Sequence, residues 1–246
     1  MTDDNHKIAR IVRIVEDLAQ KPVDKLTIMD LGCLHGEYSR TFAAMGAEVH
    51  AIEGRAENIA AGAEQNRQFP MLKVFEDDVR NLLDYSRQYD IILCLGLLYH
   101  MNHTSAVKLV HDMYAKCKSF VIIDTHVSLK QKNEWFSYHG RLFKERAKDP
   151  WSALGNETSF WFTLPSLLNL LADAGFTSVY QCHNPSEPDK PSDRVTLVAM
   201  KGAKPLRKML PHRESKNKPY ITQRWHYEVF DTFPELLKNM IRKVVG

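Results

Sequence analysis

Residues 26–39 read LTIMDLGCLHGEYS, an apolar run that ends in a turn with two glycines, Gly32 and Gly36. An apolar strand, a glycine-containing turn and a helix form the usual first unit of a doubly wound α/β fold, and the turn lies at the carboxyl edge of the sheet. Glycine lets the backbone approach a ligand closely. Leu34 stands where a dinucleotide-binding loop has its middle glycine. The stretch predicts a ligand-binding turn of unusual spacing.

The alternation of apolar strands and helices continues beyond this unit. Strands are predicted at 26–31, 47–52, 71–75, 89–95 and 119–124, with helices at 7–19, 37–45, 55–68, 104–115 and 165–174. The strands are apolar at successive residues, which is typical of a parallel sheet covered on both faces. Two further strands, 176–182 and 194–200, are joined by a loop too short for a crossover helix and predict an antiparallel pair. We therefore expect a Rossmann-like α/β fold: a doubly wound, mostly parallel seven-stranded sheet with helices on both faces and an antiparallel final strand pair.

The chain divides into three parts on this interpretation. Residues 1–25 form an N-terminal helix, residues 26–200 form the core, and residues 201–246 form a basic C-terminal extension. Within the core, residues 127–163 are rich in aromatic and basic side chains. They predict either a lid that packs over the site or a helical subregion.

Composition limits the class of protein. The 246 residues are 44% hydrophobic and 26% charged, which fits a globular chain with one well-buried core. The formal net charge of +3 excludes a polycation. The four cysteines are dispersed without a CxxC pair, which favours buried free thiols in a reducing compartment. The polar, acidic start and the absence of an apolar run of about 20 residues predict a cytoplasmic protein with no signal peptide and no membrane span.

Acidic residues follow the next two predicted strands. Glu53, beside Gly54, ends the second strand, where a carboxylate can accept hydrogen bonds from both hydroxyls of a ribose. Asp78 follows the third strand and can accept from an adenine amino group, while the backbone N–H of Val79 meets a ring nitrogen. Asp77 competes for this role, and either acid can instead cap the next helix.

The loop favours a particular kind of nucleotide. Its spacing is GxxxG rather than GxGxxG, and the following helix opens with Glu37. A carboxylate there is unfavourable beside a pyrophosphate but tolerable beside a sulfonium and an amino group. The sequence has no GK[ST], so it is not a P-loop.

Together these segments resemble class I S-adenosylmethionine-dependent methyltransferases. The motifs that carry the resemblance are DLGCLHG (30–36), VHAIEG (49–54), EDDVRN (76–81), YDIILCLGLLYH (89–100) and FVIIDT (120–125). The resemblance implies S-adenosylmethionine as cofactor and assigns roles to matching positions. These are Asp30, Gly32, Cys33 and Gly36 for the methionine part, Glu53 and Gly54 for the ribose, Asp78 and Val79 for the adenine, and Leu95 and Gly96 beside the donor. Leu34 departs from the family's usual glycine.

Two segments, LGLLYHMNH (95–103) and 156–176, are closest to two groups within this superfamily. One group methylates small molecules or sugars. The other comprises the tRNA wobble-uridine carboxymethyltransferases, which use a carboxylated donor. The match to the second group is partial, because no counterpart of an RNA-binding amino-terminal domain is visible.

Two histidines are candidate bases, because methylation of an alcohol or phenol requires removal of a proton. His100 follows the fourth strand, and His126 follows the fifth beside Asp124. Either histidine can instead serve only to hydrogen-bond a loop or to pack the lid. A divalent cation held by these groups and His103 is a further alternative. The spacing is not diagnostic and hard-cation sites are rich in carboxylates, so no metal is predicted.

The acceptor pocket is expected near the aromatic insertion. The candidate residues are Tyr99, Trp135, Tyr138, His139, Arg141 and Trp161. Arg141 can pair with a carboxylate or phosphate of the acceptor. The alternative is that these aromatic side chains form a second small core.

The sequence thus predicts an enzyme that methylates a small molecule or glycan, with a hydroxyl as the favoured target. An RNA-modifying enzyme is the alternative, because the basic stretch 201–224 with Trp225 and Tyr227 can contact phosphates and stack bases. A cofactor-binding partner subunit without turnover is a third reading. The helix predicted at 233–245 packs on its own core or on a second copy, which leaves a homodimer open.

Overall fold

The computed structural model describes residues 3–130, 133–135, 138–145, 154–182 and 193–202. Five helices in these ranges are α1 (Asp3–Leu18), α2 (Glu37–Ala44), α3 (Ala56–Asn66), α4 (His103–Lys116) and α5 (Leu164–Asp173). The strands of the main sheet are β1 (Thr27–Leu31), β2 (Glu48–Glu53), β3 (Leu72–Glu76), β4 (Tyr89–Leu95), β5 (Cys117–His126), β9 (Ser178–Cys182) and β10 (Arg194–Met200). A small sheet contains β6 (Asn133–Trp135), β7 (Tyr138–Lys144) and β8 (Thr158–Phe162).

The main sheet has seven strands within the described ranges, in the order β3-β2-β1-β4-β5-β10-β9. Pairing is parallel from β3 to β5, whereas β10 pairs antiparallel with both β5 and β9. The strand order reverses at β1 and β4, and a doubly wound sheet opens a crevice at such a point. The predicted fold is therefore confirmed, including its antiparallel final pair.

Two hydrophobic cores cover the two faces of this sheet. Met29 belongs to one core and its neighbour Ile28 to the other, and both side chains are 0% exposed. Helices α4 and α5 contribute to the first core, and α1 and α2 to the second. Because successive strand residues point to opposite apolar layers, the strands show no polar alternation. All four cysteines are buried and free, as expected.

The described part of the aromatic insertion forms a sheet rather than a helical subregion. Its described strands β6, β7 and β8 pair antiparallel in that order. The small sheet joins the main core through β8, whose Phe160 and Phe162 are 1% and 3% exposed. A 3₁₀ helix, Val79–Asp84, connects β3 and β4, and it begins where the Asp78 side chain accepts the Arg80 N–H, as expected of an acid that caps a helix.

Most of the basic C-terminal extension lies outside the described residues. Residues 203–246, with the stretch up to 224, Trp225, Tyr227 and the helix predicted at 233–245, belong to this undescribed part. Among the helices that are described, none has both the length and the apolar character that crossing a bilayer requires.

Asp30 on β1 predicts a pH dependence of stability. It is 2% exposed and accepts a 2.6 Å hydrogen bond from the Ser39 hydroxyl. The pKa of Asp30 is raised from 3.8 to about 6, because burial and, to a smaller extent, the charge of Glu53 outweigh the hydrogen bond from Ser39, which lowers it. A pKa raised in the folded state stabilises the fold fully below the unfolded value and loses that contribution as pH rises through the folded value.

We therefore expect the free energy of unfolding of the wild type, relative to Asp30→Asn, to fall by about 1.4 kcal/mol per pH unit between roughly pH 4 and 6. Urea denaturation of both proteins across this range measures the difference. A difference that stays constant with pH would show that Asp30 is ionised throughout.

Gly62 in α3 gives a second stability prediction. A Cβ atom there would lie 2.2 Å from the carbonyl oxygen of His35 in the first loop. Helix propensity alone predicts that Gly62→Ala stabilises the fold by about 1 kcal/mol, but this contact with rigid backbone should reverse the sign, with a loss of about 1–3 kcal/mol. Thermal denaturation distinguishes the two outcomes. The exposed neighbour Ala61, changed to Gly, gives the size of the propensity effect in the same helix.

Candidate active site

A cavity of about 720 Å³ opens at the carboxyl edge of the main sheet, where strand order reverses. Its walls come from the loops after β1, β2, β3 and β4, from α1 and from the small sheet. Among the residues that line it are Lys7, Ile8, Gly32, Leu34, Glu53, Asp78, Arg80, Gly96, Tyr99, His100, Asp124, Phe143, Glu145 and Arg194. A single space therefore contains the predicted cofactor loop and one predicted base.

The first loop has three left-handed residues in close succession. Gly32, Leu34 and Gly36 have φ angles of 67°, 51° and 85°. Leu34 is the only non-glycine residue with positive φ in the described part of the chain. This conformation costs an ordinary residue about 1–2 kcal/mol. Leu34 therefore keeps the backbone geometry for which glycine is the natural choice, at the expense of local strain.

Glu53 at the end of β2 stabilises this loop. Its Oε2 accepts the backbone N–H of Leu34 at 3.0 Å. Its Oε1 accepts the backbone N–H of Arg55 at 2.9 Å and the Asn58 side-chain amide at 3.1 Å. Glu53 is only 5% exposed, and each of its carboxylate oxygens can accept more than one hydrogen bond. Glu53 thus orders the loop and retains acceptor capacity towards the cavity.

Asp78 after β3 is engaged by its neighbour Arg80. Oδ1 accepts the backbone N–H of Arg80 at 2.9 Å, and both oxygens accept from the guanidinium. Burial would raise the pKa of Asp78, but the hydrogen bonds from Arg80 outweigh it and lower that pKa. Asp77, the competing acid, accepts from the Asp78 N–H and the Tyr85 hydroxyl. Both acids line the cavity, and both are held by protein donors.

Asp124 at the end of β5 connects three segments of the chain. Its Oδ1 accepts from Nε of Arg194 at 2.6 Å, and its Oδ2 accepts from the Thr196 hydroxyl at 2.6 Å and from Arg10 at 3.3 Å. Arg10 belongs to α1, which places Lys7 and Ile8 on the cavity wall. The N-terminal helix is therefore part of the site. The ion pair that holds it is largely buried, because the side chains of Arg10 and Asp124 are 11% and 8% exposed.

His100 in the turn after β4 lines the cavity and has a buried acidic partner. Its Nδ1 lies 3.2 Å from Oε2 of Glu145, whose side chain is 4% exposed. Burial lowers the pKa of His100, while Glu145 acts to raise it. The histidine is therefore neutral at pH 7, which is the form that a general base requires.

His126, the last residue of β5, lies in a different setting. Its Nδ1 is 3.0 Å from Oδ1 of Asp193, whose side chain is 45% exposed. Its ring stacks on Trp161, with centroids 4.9 Å apart, and Trp161 also stacks on Phe143 at 4.7 Å. His126 is not among the described residues that line the cavity. Of the two candidate bases, the structure brings only His100 to the cavity.

The other predicted site residues also fall into two groups, one on the cavity wall and one away from it. Those on the cavity wall are Gly32, Cys33, Glu53, Gly54, Asp78, Val79, Leu95, Gly96 and Tyr99. The predicted residues outside the described lining are Asp30, Gly36, Tyr138, His139, Arg141 and Trp161. Trp135 belongs to β6, but its side chain lies outside the described parts of the structure.

The predicted acceptor-pocket residues that lie outside the cavity lining contact other parts of the protein. The Tyr138 hydroxyl donates to Asp173 at 2.8 Å, and the Arg141 guanidinium lies 5.5 Å from the centre of the Trp161 ring. Tyr138 packs against the main core and Arg141 contacts the Trp161 ring, so these side chains have packing contacts outside the described cavity lining. Phe143 extends the same stack to the cavity wall.

Sequence reasoning missed several cavity residues, among them Lys7, Ile8, Tyr38, Arg80, Glu145, Leu154, Asn156 and Arg194. Most of them lie on α1, on loops and on β10, away from the motifs, whereas Tyr38 in α2 follows the first motif and Arg80 lies inside the motif at 76–81. The positions at which strands end do not by themselves predict that these side chains line the cavity. In the described ranges, no group of three or more His, Cys, Asp or Glu side chains is arranged to hold a metal ion.

Residues 4–181, more than half of the chain, match the family model of a methyltransferase domain. A curated relative is the ubiquinone biosynthesis O-methyltransferase of Rickettsia conorii, 26% identical over 103 residues, or 42% of this chain. The matched region spans 36% of that enzyme's length.

Two solved structures share the fold. The N-terminal domain of EvdMO1, crystallised in the presence of SAH and D-fucose, has a TM-score of 0.68 and 21% identity, with 81% of this chain and 84% of that chain covered. Magnesium protoporphyrin IX methyltransferase of Synechocystis, with bound SAM, has a TM-score of 0.56 and 13% identity, with 81% and 79% covered. The chain belongs to the methyltransferase domain family, and its assignment to the S-adenosylmethionine-dependent class I enzymes is confirmed.

Proposed function

We propose that the protein transfers the methyl group of S-adenosylmethionine to a hydroxyl group of a small-molecule or glycan acceptor. The observation that carries this proposal is the shared cavity, which contains the first loop, Glu53 and His100 together. A methyltransferase that acts on a hydroxyl needs a base at the donor end of its cofactor site. His100 follows Gly96 along the cavity wall and is a group of that kind.

The residues present fit the cofactor. Glu53 keeps acceptor capacity for a ribose hydroxyl, and the loop from Gly32 to Gly36 exposes backbone for the methionine part. The Arg80 guanidinium donates hydrogen bonds to both carboxylate oxygens of Asp78. Asp78 therefore accepts a hydrogen bond from an adenine amino group only if one of these bonds breaks. Asp77 at the same edge stays the alternative acceptor for the adenine.

Bound S-adenosylmethionine supplies a methyl group that its sulfonium has already activated. The chain's own contribution is alignment, exclusion of water and removal of one proton. Neutral His100 accepts the proton of the acceptor hydroxyl. Phe143, with a side chain that is 39% exposed, and Tyr99 form the apolar part of the wall against which the acceptor lies.

Two comparisons support a hydroxyl on a small molecule. The curated relative is named as an O-methyltransferase of ubiquinone biosynthesis, and EvdMO1 was crystallised in the presence of a sugar. Among hydroxyls, a phenol suits His100 better than a sugar alcohol, because a phenol with a pKa near 10 gives up its proton more readily to a base of low pKa.

His100→Ala tests the base. We expect turnover to fall by about 100-fold or more, because the hydroxyl keeps its proton, while the affinity for S-adenosylhomocysteine stays within about twofold. The measurement is S-adenosylhomocysteine formation with a panel of phenols, sugars and transcribed tRNA, with titration calorimetry for binding. His111→Ala, an exposed change on α4, is the matched control.

Several results would contradict the proposal. Normal turnover in His100→Ala would make that histidine structural, and turnover with tRNA alone would favour the RNA-modifying alternative. Tight cofactor binding with no turnover on any acceptor would favour a partner subunit.

Glu53→Gln tests the ribose assignment. The carboxamide has nearly the same shape, but it loses the charge and one acceptor oxygen. We expect binding of S-adenosylhomocysteine to weaken by about 1–3 kcal/mol, measured by calorimetry. The exposed acid Glu57 on α3, changed to Gln, should leave the affinity unchanged. Equal affinities of Glu53→Gln and the wild type would refute the assignment.

A further inference from the structure

We propose that Glu145 is a positioning residue for His100: it holds the Nδ1–H of the imidazole, so that Nε2 is the nitrogen that accepts the proton of the acceptor. The inference rests on the proposed function and extends it to a group outside the methyltransferase motifs. Glu145 comes directly after β7, in the inserted small sheet, and it lines the same cavity as His100.

The geometry restricts how the two side chains can interact. Oε2 of Glu145 and Nδ1 of His100 are 3.2 Å apart, and an ionised carboxylate can only accept a hydrogen bond. The proton of neutral His100 therefore resides on Nδ1, which leaves the lone pair on Nε2. An acid in this position also stabilises the imidazolium that forms when the base takes up a proton.

Both partners are held in place by their backbones. The N–H of Glu145 donates to the carbonyl of Glu157 at 2.9 Å, and the Asn156 side chain donates to the carbonyl of His100 at 3.1 Å. The N–H of Phe160 on β8 donates to the carbonyl of Met101 at 2.9 Å. These bonds connect the small sheet to the turn that carries the histidine, so the pair does not depend on two mobile side chains.

Burial is a second reason to assign Glu145 a role. The residue is 8% exposed, and a buried carboxylate is costly unless charged or polar groups compensate it. An apolar residue would serve the packing of the small sheet at lower cost. The hydrogen bond with His100 is one interaction that compensates this buried carboxylate.

The charged surroundings of His100 set the direction of the pH effect. The groups that act on it are Glu145 after β7, His126 at the end of β5 and Arg55 before α3. The Tyr99 ring lies 4.1 Å from its ring, centre to centre. Burial lowers the pKa of His100 most, Glu145 raises it, and His126 and Arg55 lower it further. Removal of the Glu145 charge therefore lowers the pKa of His100 further.

The chain contains a matched comparison. His126 and Asp193 form a second histidine–carboxylate pair at 3.0 Å, but its acid is 45% exposed at the side chain and neither member lines the cavity. Asp193→Asn removes the same kind of charge from the same kind of pair. It should leave catalysis near the wild-type level.

The test compares Glu145→Gln, Glu145→Asp and Asp193→Asn with the wild type, on the best acceptor of the phenol and sugar panel. For Glu145→Gln we expect kcat to fall by about 100-fold or more, with the KM for S-adenosylmethionine changed by less than about twofold. The acidic limb of the kcat–pH profile should move to lower pH, because His100 then titrates lower. Glu145→Asp should restore part of kcat, and Asp193→Asn should resemble the wild type.

Unchanged kcat and an unchanged pH profile in Glu145→Gln would overturn the proposal. Equal losses of kcat in Glu145→Gln and Asp193→Asn would also overturn it, because the effect would not be specific to the cavity pair. A proportional loss of folded protein, seen by circular dichroism, with no movement of the pH profile would reduce Glu145 to a structural residue.

An independent measurement separates this inference from the proposed function. Nitrogen-15 NMR of the labelled protein reports the tautomer and the pKa of His100 without any acceptor. We expect the Nδ1–H tautomer in the wild type, and a lower pKa of His100 in Glu145→Gln. If no hydroxyl acceptor is methylated but these NMR results are obtained, the proposed function fails while the pairing stands. If turnover occurs but the wild type shows the Nε2–H tautomer, the inference alone fails.

Discussion

The hydrogen bond from the Leu34 backbone to the Glu53 carboxylate is the constraint on which the site depends. It joins the loop after β1 to the end of β2 and fixes the loop in a left-handed turn at a residue that is not glycine. The same carboxylate binds the first turn of α3 through Arg55 and Asn58. One buried side chain therefore sets the shape of the loop, the start of a helix and an acceptor surface in the cavity.

The cavity exists because the sheet changes direction beside this loop. Strands β1 and β4 are neighbours in the sheet, and the helices that follow them cover opposite faces. Their carboxyl ends separate and leave a crevice, as expected of doubly wound folds. The ion pair between Arg10 and Asp124 then closes one side of the crevice with α1. The N-terminal helix thereby joins the main core and the site at once.

The inserted small sheet has two roles that its aromatic composition conceals. One part packs against the main core through Phe160 and Phe162, and Trp161 in the same strand stacks on Phe143. The other part brings Phe143 and Glu145 to the cavity. The same inserted segment thus contributes both to the main core and to the cavity wall.

The sequence by itself determined the sheet and the cofactor edge. Strands β4 and β10 begin and end where they were predicted, because an unbroken apolar run between polar turns is a local property. Glu53 was predicted as a cofactor residue for the same reason, because it ends an apolar run. Only the tertiary structure decided which histidine reaches the cavity, because His100 and His126 both follow strands at the same edge. The pairing of His100 with Glu145 and of Arg10 with Asp124 joins residues far apart in the chain. Contacts of that kind depend on how the elements pack, which no local pattern of residues contains.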